Sequence, residues 1–484
     1  MVFSSLLFLI FFLTALILCY FPVGLIFGKI KSEKAGRIGI SIQNAILLIF
    51  SLFFYAWGEP RCVFLLIISS LVDFIDGILL EKFSDRPTCR KIFLGIALFI
   101  NISLLGVMKY ANFFVGTINR VAGTAIHLPG IALPIGISFY TFQTTSYSID
   151  VYRGKVKAER NFFRYLTYIS MFSQLIAGPI VRYSLIKEEL TDRKMTMDNF
   201  TNGFRRFLIG LFRKVLIANE LGALWDYLRG VSGISVLGAW LGFLIFTLQL
   251  YYDFSAYSDM AIGLGLMMGF HFDENFRYPL SALSITDFWR RWHISLSGWF
   301  RDYVYIPLGG NRKGRFRQLI NLGIVWFLTG LWHGAFWNYV LWGIYHGLML
   351  VLEKFIWGRF LEKTPKFLRH FYTLIIVIFG FGIFYFEDMS AFGSYFTYAF
   401  GMAGNRVVGP EILWALGNYL PIIVFAVIFM FPVFPKIKAY IGKLGENGKN
   451  TITFITGMVS VGLLILCIAN LVRDSYNPFL YFRF

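Results

Sequence analysis

Two histidines 40 positions apart, His293 and His333, are the residues of this chain best suited to acid–base chemistry. An imidazole titrates near neutral pH, so it can take a proton from a hydroxyl and hand one on to a leaving group. His333 sits in Leu331-Trp332-His333-Gly334, with Trp337 and Asn338 one turn on, and His293 closes Asp287-Phe-Trp-Arg-Arg-Trp-His293. The run leading into His333 is built for lipid, where an ionisable group costs about 2.5–3.5 kcal/mol on insertion scales and marks a functional site when it faces protein or a watery cavity. Glycine at 334 lets another backbone or a substrate come close. By chemistry alone a lone histidine is more often a hydrogen-bonded core residue than a catalyst, and spacing does not choose between the two.

His346 reads as a poorer partner for His333, because 13 residues along an unbroken helix it would lie about 20 Å up the axis. His127 and His370 read as loop residues. Asp253, Asp259, Asp287 and Asp302 either orient an imidazole or form ion pairs with Arg290, Arg291 and Arg301. No His or Cys pair has i,i+3 or i,i+4 spacing, and Cys19, Cys62, Cys89 and Cys467 read as small core residues or bystanders, so no metal site is expected.

The elements that carry these residues belong to a membrane protein. The chain has 484 residues, 57% hydrophobic and 15% charged, whereas about a quarter of a soluble domain is charged. Apolar runs recur from Val2–Phe27 to Ile452–Leu471, and with polar-interrupted candidates they predict roughly eleven to thirteen membrane helices in one domain. The first run lacks a basic leader and a cleavage site and is read as retained. The net charge of +18 sits mainly between apolar runs, which excludes a nucleic-acid footprint. Placing the joints at Lys29, Lys31, Lys34 and Arg37 and at Lys82, Arg86, Arg90 and Lys91 in the cytoplasm puts the N-terminus outside.

Polar residues inside apolar stretches need partners. Asp73 and Asp76 share a helix face and are expected to hydrogen-bond between helices. The hydroxyl-rich stretch Pro134 to Arg153, with Gln143, and the Gly178-Pro179 break in Ser173 to Tyr183 must face protein or water, and together they point to a lined cavity. Arg206 and Arg213, seven apart, share a face and are read as anchors of a helix in the headgroup region.

The segment Asp287-Phe-Trp-Arg-Arg-Trp-His293-Ile-Ser-Leu-Ser, followed by Phe-Arg-Asp-Tyr-Val-Tyr-Ile-Pro-Leu-Gly-Gly-Asn-Arg312 and Leu-Trp-His333-Gly, resembles the membrane-bound O-acyltransferase family, and within it the alginate-acetylating branch. Tyr-Tyr-Asp253-Phe-Ser-Ala-Tyr-Ser-Asp259, Pro-Ile-Gly-Ile-Ser-Phe-Tyr-Thr-Phe-Gln143 and the Asn477-Pro-Phe-Leu-Tyr-Phe-Arg-Phe484 end look like that branch too, so the resemblance runs nearly end to end. It implies an all-α polytopic integral membrane protein, a helical ring around a central funnel or tunnel with re-entrant and interfacial helices, and 287–347 as its catalytic core segment. His333 would be the catalytic base or proton shuttle, with His293 positioning or relaying. Trp332, Gly334, Trp337, Asn338, Gln143, Asp253, Asp259 and Asp287 would line the tunnel, and Arg312, Lys313 and Arg315 would attract the donor's phosphates.

The implied donor is acetyl-coenzyme A or another acyl thioester, and no bound cofactor is implied. The acceptor would be an extracytoplasmic polysaccharide, reached through a partner acetyltransferase at a bacterial inner membrane. D-alanyl transfer to teichoic acid is the nearest rival. A transporter or a non-catalytic scaffold of a polymer-export complex would be the reading from another class.

Overall fold

The computed structural model describes residues 1–480 apart from 29, 31, 129–132, 177, 442, 444–445 and 474–478, together with the side chains of all these except 438, 446–450 and 453. Lys29, Lys31, Ala177 and most of the C-terminal motif, 477–478 and 481–484, therefore lie outside the described residues. All regular structure among those described is helical. Nine helices there are long and apolar enough to cross a membrane, from Leu7–Gly28 to Phe454–Arg473. The chain is a multi-pass helical membrane protein, and Gly314–His333, 20 residues long, is a further helix outside these nine.

Two compact units share the chain, Met1–Phe207 with Tyr257–Glu274 and Leu208–Ala256 with Asn275–Phe484. In the first, helices α1 (Cys62–Lys82), α2 (Pro87–Leu105) and α3 (Ile137–Tyr152) pack together. Asp73 on α1 is fully buried and accepts from Asn101 Nδ2 at 2.9 Å on both oxygens and from Ser148 Oγ at 3.0 Å. The expected helix-to-helix bonding is realised for Asp73, because lipid offers a carboxyl group no other donor, whereas Asp76 Oδ2 is buried without a hydrogen-bond partner. Helix α3 is buried almost throughout, as its hydroxyls require. The Gly178-Pro179 break separates two single helical turns, Phe172–Leu175 and Tyr183–Ile186.

Arg206 does not serve as the expected headgroup anchor. Its guanidinium holds Asp259 at 2.9 Å and Glu274 at 2.5 Å within the first unit, since two carboxylates offer better-directed partners than a diffuse lipid surface. Arg213, which falls in the second unit, donates to Ser255 Oγ at 2.6 Å and lies over the rings of Tyr251 and Tyr252.

The second unit draws on the first part of α4 (Val236–Met267), on the short helices α5 (Ile285–Arg291) and α6 (Ile294–Phe300), and on α7 (Gly314–His333), α8 (Trp337–Leu352) and α9 (Lys366–Tyr385). Helix α7 stops at His333, Gly334 and Phe336 are extended, and α8 starts at Trp337. The chain thereby doubles back. Gly330 lies against Tyr339 and Val340 while Gly343 lies against Trp326, so the two helices run antiparallel with their backbones in contact. Small residues at these two positions are what permits that distance. A Cβ on Gly343 would overlap the carbonyl oxygen of Trp326.

Gly343→Val should therefore destabilise the protein by about 1–3 kcal/mol through overpacking, read as a lower thermal midpoint in detergent. Gly323→Ala on the same hairpin, where nothing lies within 4 Å, should leave the midpoint in place. Equal midpoints for all three proteins would rule out the backbone contact.

Candidate active site

His293 is held by an unusual local geometry. Helix α5 is capped at its start by Ser284, whose Oγ accepts from Asp287 N at 3.0 Å, and Trp292 follows its last residue. His293 then adopts φ 45°, ψ 55°, one of two non-glycine residues with positive φ among those described. That left-handed conformation costs on the order of 1–2 kcal/mol for a side chain with a Cβ, so the surroundings must enforce it. Asn275 does so. Its Oδ1 accepts from Ser295 N at 3.2 Å, Ser295 Oγ at 2.9 Å and His293 Nδ1 at 3.1 Å, and its carbonyl takes Ile294 N at 3.0 Å. Because a main-chain N–H can only donate, the amide oxygen must face Ser295, and His293 therefore donates from Nδ1. Nε2 is left as the basic nitrogen, buried and without a protein partner.

The His293 ring is fully buried, with Phe254 at 4.9 Å and Trp332 at 5.7 Å between ring centres. His293 lies outside the nine membrane-crossing helices. Burial pushes its pKa down to about 3, so the ring stays neutral at physiological pH.

His333 is the last residue of α7 and is 7% exposed. Trp342 and Phe384 meet its ring edge-on at 4.8 and 5.2 Å. It lines a narrow cavity of about 20 Å³ with Asp253, Phe254, Trp292, Trp342 and Phe384, room for a single water. The wall is apolar except for His333 and Asp253. Asp253 Oδ1 lies 2.7 Å from Lys214 Nζ, with both side chains 2% exposed. Lys214 also donates to Asn219 Oδ1 at 2.8 Å, and Asp253 Oδ2 accepts from Leu480 N at 2.9 Å. The one charge on the wall is thus paired before any substrate arrives.

The remaining expected residues are distributed as follows. Asn338 donates to the carbonyl of Phe384 at 2.8 Å and so ties α8 to the ring that faces His333. Trp332 is buried and Trp337 is 49% exposed. The space beside Gly334 is filled by the ring of Tyr339 rather than left open for substrate. Asp287 pairs with Arg291 at 2.8 Å, and Asp302 with Arg301 at 2.8 Å. With Asp253 on Lys214 and Asp259 on Arg206, all four aspartates make ion pairs. Arg312, Lys313 and Arg315 are exposed at the turn into α7. Gln143 and Asp259 fall in the first unit; Gln143 is fully buried, and its two amide atoms have no protein partner.

His346 is closer to the site than its position in the chain implies. The unbroken-helix reading fails because the chain reverses at Gly334, and Trp342 then touches both His333 and His346, the latter at 5.1 Å. His346 is enclosed by Trp289, Trp326 and Trp342, and its two ring nitrogens have no hydrogen-bond partner. Asn275, Lys214 and His346 were not among the expected site residues. Lys214 alone leaves a trace in the sequence, as a cation followed directly by Val215, Leu216 and Ile217. Together the site offers the imidazole of His333 in a narrow, largely apolar space beside the neutral, buried ring of His293, which suits moving a proton between a hydroxyl and a thiol or amine.

The family model described as membrane-bound O-acyltransferase matches residues 156–396. The chain is 37% identical over 467 residues to a protein named probable alginate O-acetylase from Pseudomonas putida, covering 92% of this chain and 95% of that protein. It is 35% identical over 350 residues to a peptidoglycan O-acetyltransferase of Helicobacter pylori, covering 66% and 65%. It is also 29% identical over 270 residues to a teichoic acid D-alanyltransferase of Bacillus subtilis, covering 52% and 68%.

His293 makes stability depend on pH in a defined direction. The unfolded chain takes up this proton near 6.5, whereas the folded one resists until about 3, so acid favours unfolding between those values. Between pH 6.5 and 5 the lost stability amounts to about 2 kcal/mol. Thermal midpoints in detergent should fall over that range, and His293→Asn, which cannot titrate, should flatten the slope. An unchanged slope in the variant would mean that this ring is not the group being titrated.

Proposed function

The chain belongs to the membrane-bound O-acyltransferase family, and from that premise we propose that it transfers an acetyl group from a cytoplasmic thioester, acetyl-coenzyme A, toward a hydroxyl of an extracytoplasmic polysaccharide. It is an O-acyltransferase, which sets aside the transporter and scaffold readings. The acetyl donor is favoured because the alginate O-acetylase relative matches along almost its whole length, while the D-alanyltransferase relative spans 52% of this chain. The proposed acceptor class is supported by two of these relatives, an alginate O-acetylase and a peptidoglycan O-acetyltransferase. A separate extracytoplasmic acetyltransferase completes the delivery, and the N-terminus faces outward from the bacterial inner membrane.

The observation that carries the reading is His333 on the wall of a narrow cavity whose one other polar wall residue, Asp253, is paired with Lys214. In the proposed step the acceptor oxygen attacks the thioester carbonyl carbon while His333 removes the hydroxyl proton. The C–S bond then breaks, and the same proton passes to the departing sulfur. Thiol and ester are the products, and the imidazole ends as it began. Cationic Lys214, held against Asp253, keeps the wall neutral overall, so an acyl group that widens the cavity beyond its one-water size meets no unpaired charge. His293 keeps its basic Nε2 within the same aromatic cluster as a relay. Exposed Arg312, Lys313 and Arg315 meet the donor's phosphates. Asp287 holds α5 in shape through Arg291, and Trp332 and Trp337 limit water.

Purified protein in lipid discs, supplied with acetyl-coenzyme A, an alginate oligosaccharide and the extracytoplasmic acetyltransferase that completes delivery, should release free thiol. His333→Ala that still assembles should lower that rate by about 10²–10⁴, the range for loss of general-base help. A variant within a factor of two of the parent would overturn the assignment. Faster use of a D-alanyl thioester than of acetyl-coenzyme A would move the enzyme to the alanylating class.

A further inference from the structure

The helix that carries Trp342 and His346 continues past Leu352 into a π-helical turn, Glu353–Trp357, within the membrane-crossing stretch Trp337–Lys363. Turns of this kind insert a residue into the helix and occur often at functional sites. This one closes against Gly358, where a Cβ would meet the carbonyl oxygen of Glu353. Glu353 is 5% exposed. Its Oε2 accepts from Ile285 N at 2.7 Å, and its Oε1 from Thr286 N at 2.9 Å and Thr286 Oγ at 2.5 Å. These are the first residues of α5, a helix of seven residues.

So short a helix has no stability of its own, and the N–H groups of its first turn need partners from elsewhere. Ser284 supplies one and Glu353 supplies the acceptors for two more, with a carboxylate favoured at that end by the helix dipole. From this anchored end α5 runs toward the site. Trp289 packs on Trp342 at 5.6 Å, Trp292 lines the cavity, and His293 follows. One membrane helix thus carries both Trp342, in contact with His333, and the carboxylate that fixes the segment bearing Trp292 and His293.

We propose that Glu353 is a positioning residue for the acyl-transfer site: it fastens α5 to α8 and so sets where Trp292 and His293 stand relative to Trp342 and the cavity. The inference rests on the function proposed above, and two readouts separate their failures. Glu353→Gln puts a donor where acceptors are needed, Glu353→Asp shortens the reach, and Thr286→Val removes one bond of the three. Each is taken forward as a monodisperse protein in lipid discs. Hydrogen exchange of the 284–293 amides should quicken about tenfold or more in Glu353→Gln, by the loss of bonds to a charged acceptor. Helices α7 and α9 should keep their protection.

The maximal rate of thiol release from acetyl-coenzyme A should fall about tenfold, with the KM for acetyl-coenzyme A changed less than about twofold, because the group acts on transition-state geometry. Glu353→Asp and Thr286→Val should fall between this variant and the parent on both readouts. Unchanged exchange, unchanged turnover, or a loss of protection spread evenly over α7 and α9 would overturn the role. A parent that releases no thiol from acetyl-coenzyme A would defeat the proposed function instead, while the exchange comparison would still decide whether Glu353 anchors α5.

Discussion

The backbone contact between Gly330 and Gly343 decides where the chemistry of the second unit lies. Because α7 and α8 touch there, the reversal at Gly334 is tight, and residues 13 apart in the chain end up on either side of one indole. Trp342 is packed by Trp289, Trp326 and Phe384 as well as by the two histidines. A ring fixed from so many directions cannot shift without disturbing its neighbours. The position of His333 is therefore inherited from helix packing rather than from a flexible loop.

A second constraint is that polar groups in such a chain must be satisfied by the protein itself, since lipid supplies no partners. Four buried acidic groups meet it in two ways. Asp73 is bound by side chains from two other helices, and Asp253 by Lys214 and the main-chain amide of Leu480. Glu353 and Glu411 sit at helix starts, the latter accepting from Ser235 N at 2.9 Å at the head of α4. Removing one partner would strand the other at a cost of several kcal/mol. Such groups fix geometry more than they add stability, which is what a site that must hold two reactants in register requires.

Much of this was legible in the chain before any coordinates. The membrane class followed from composition, the burial of α3 from its hydroxyls, and the bonding of Asp73 from its place in an apolar run. What was hidden depends on contacts that no local pattern encodes. His346 seemed remote because periodicity measures distance along a helix and cannot see the chain fold back. Asn275 lies 18 residues before His293 and carries no motif. Lys214 and Asp253 meet from 39 positions apart, and neither residue's neighbours in the chain point to the other as its partner. Arg206 misled because helical spacing reports a shared face and not what that face meets, which is Asp259 and Glu274.

The central claim is that a donor's acyl group reaches the imidazole of His333 inside the aromatic cavity. A structure of the protein in lipid discs with a non-transferable thioether analogue of acetyl-coenzyme A would test it directly. The account predicts the acyl carbonyl within about 3 Å of the His333 ring, the reach needed for proton transfer, with Trp342 and Phe384 lining its methyl group. An acyl group bound elsewhere, with the cavity still closed around His333, would contradict it.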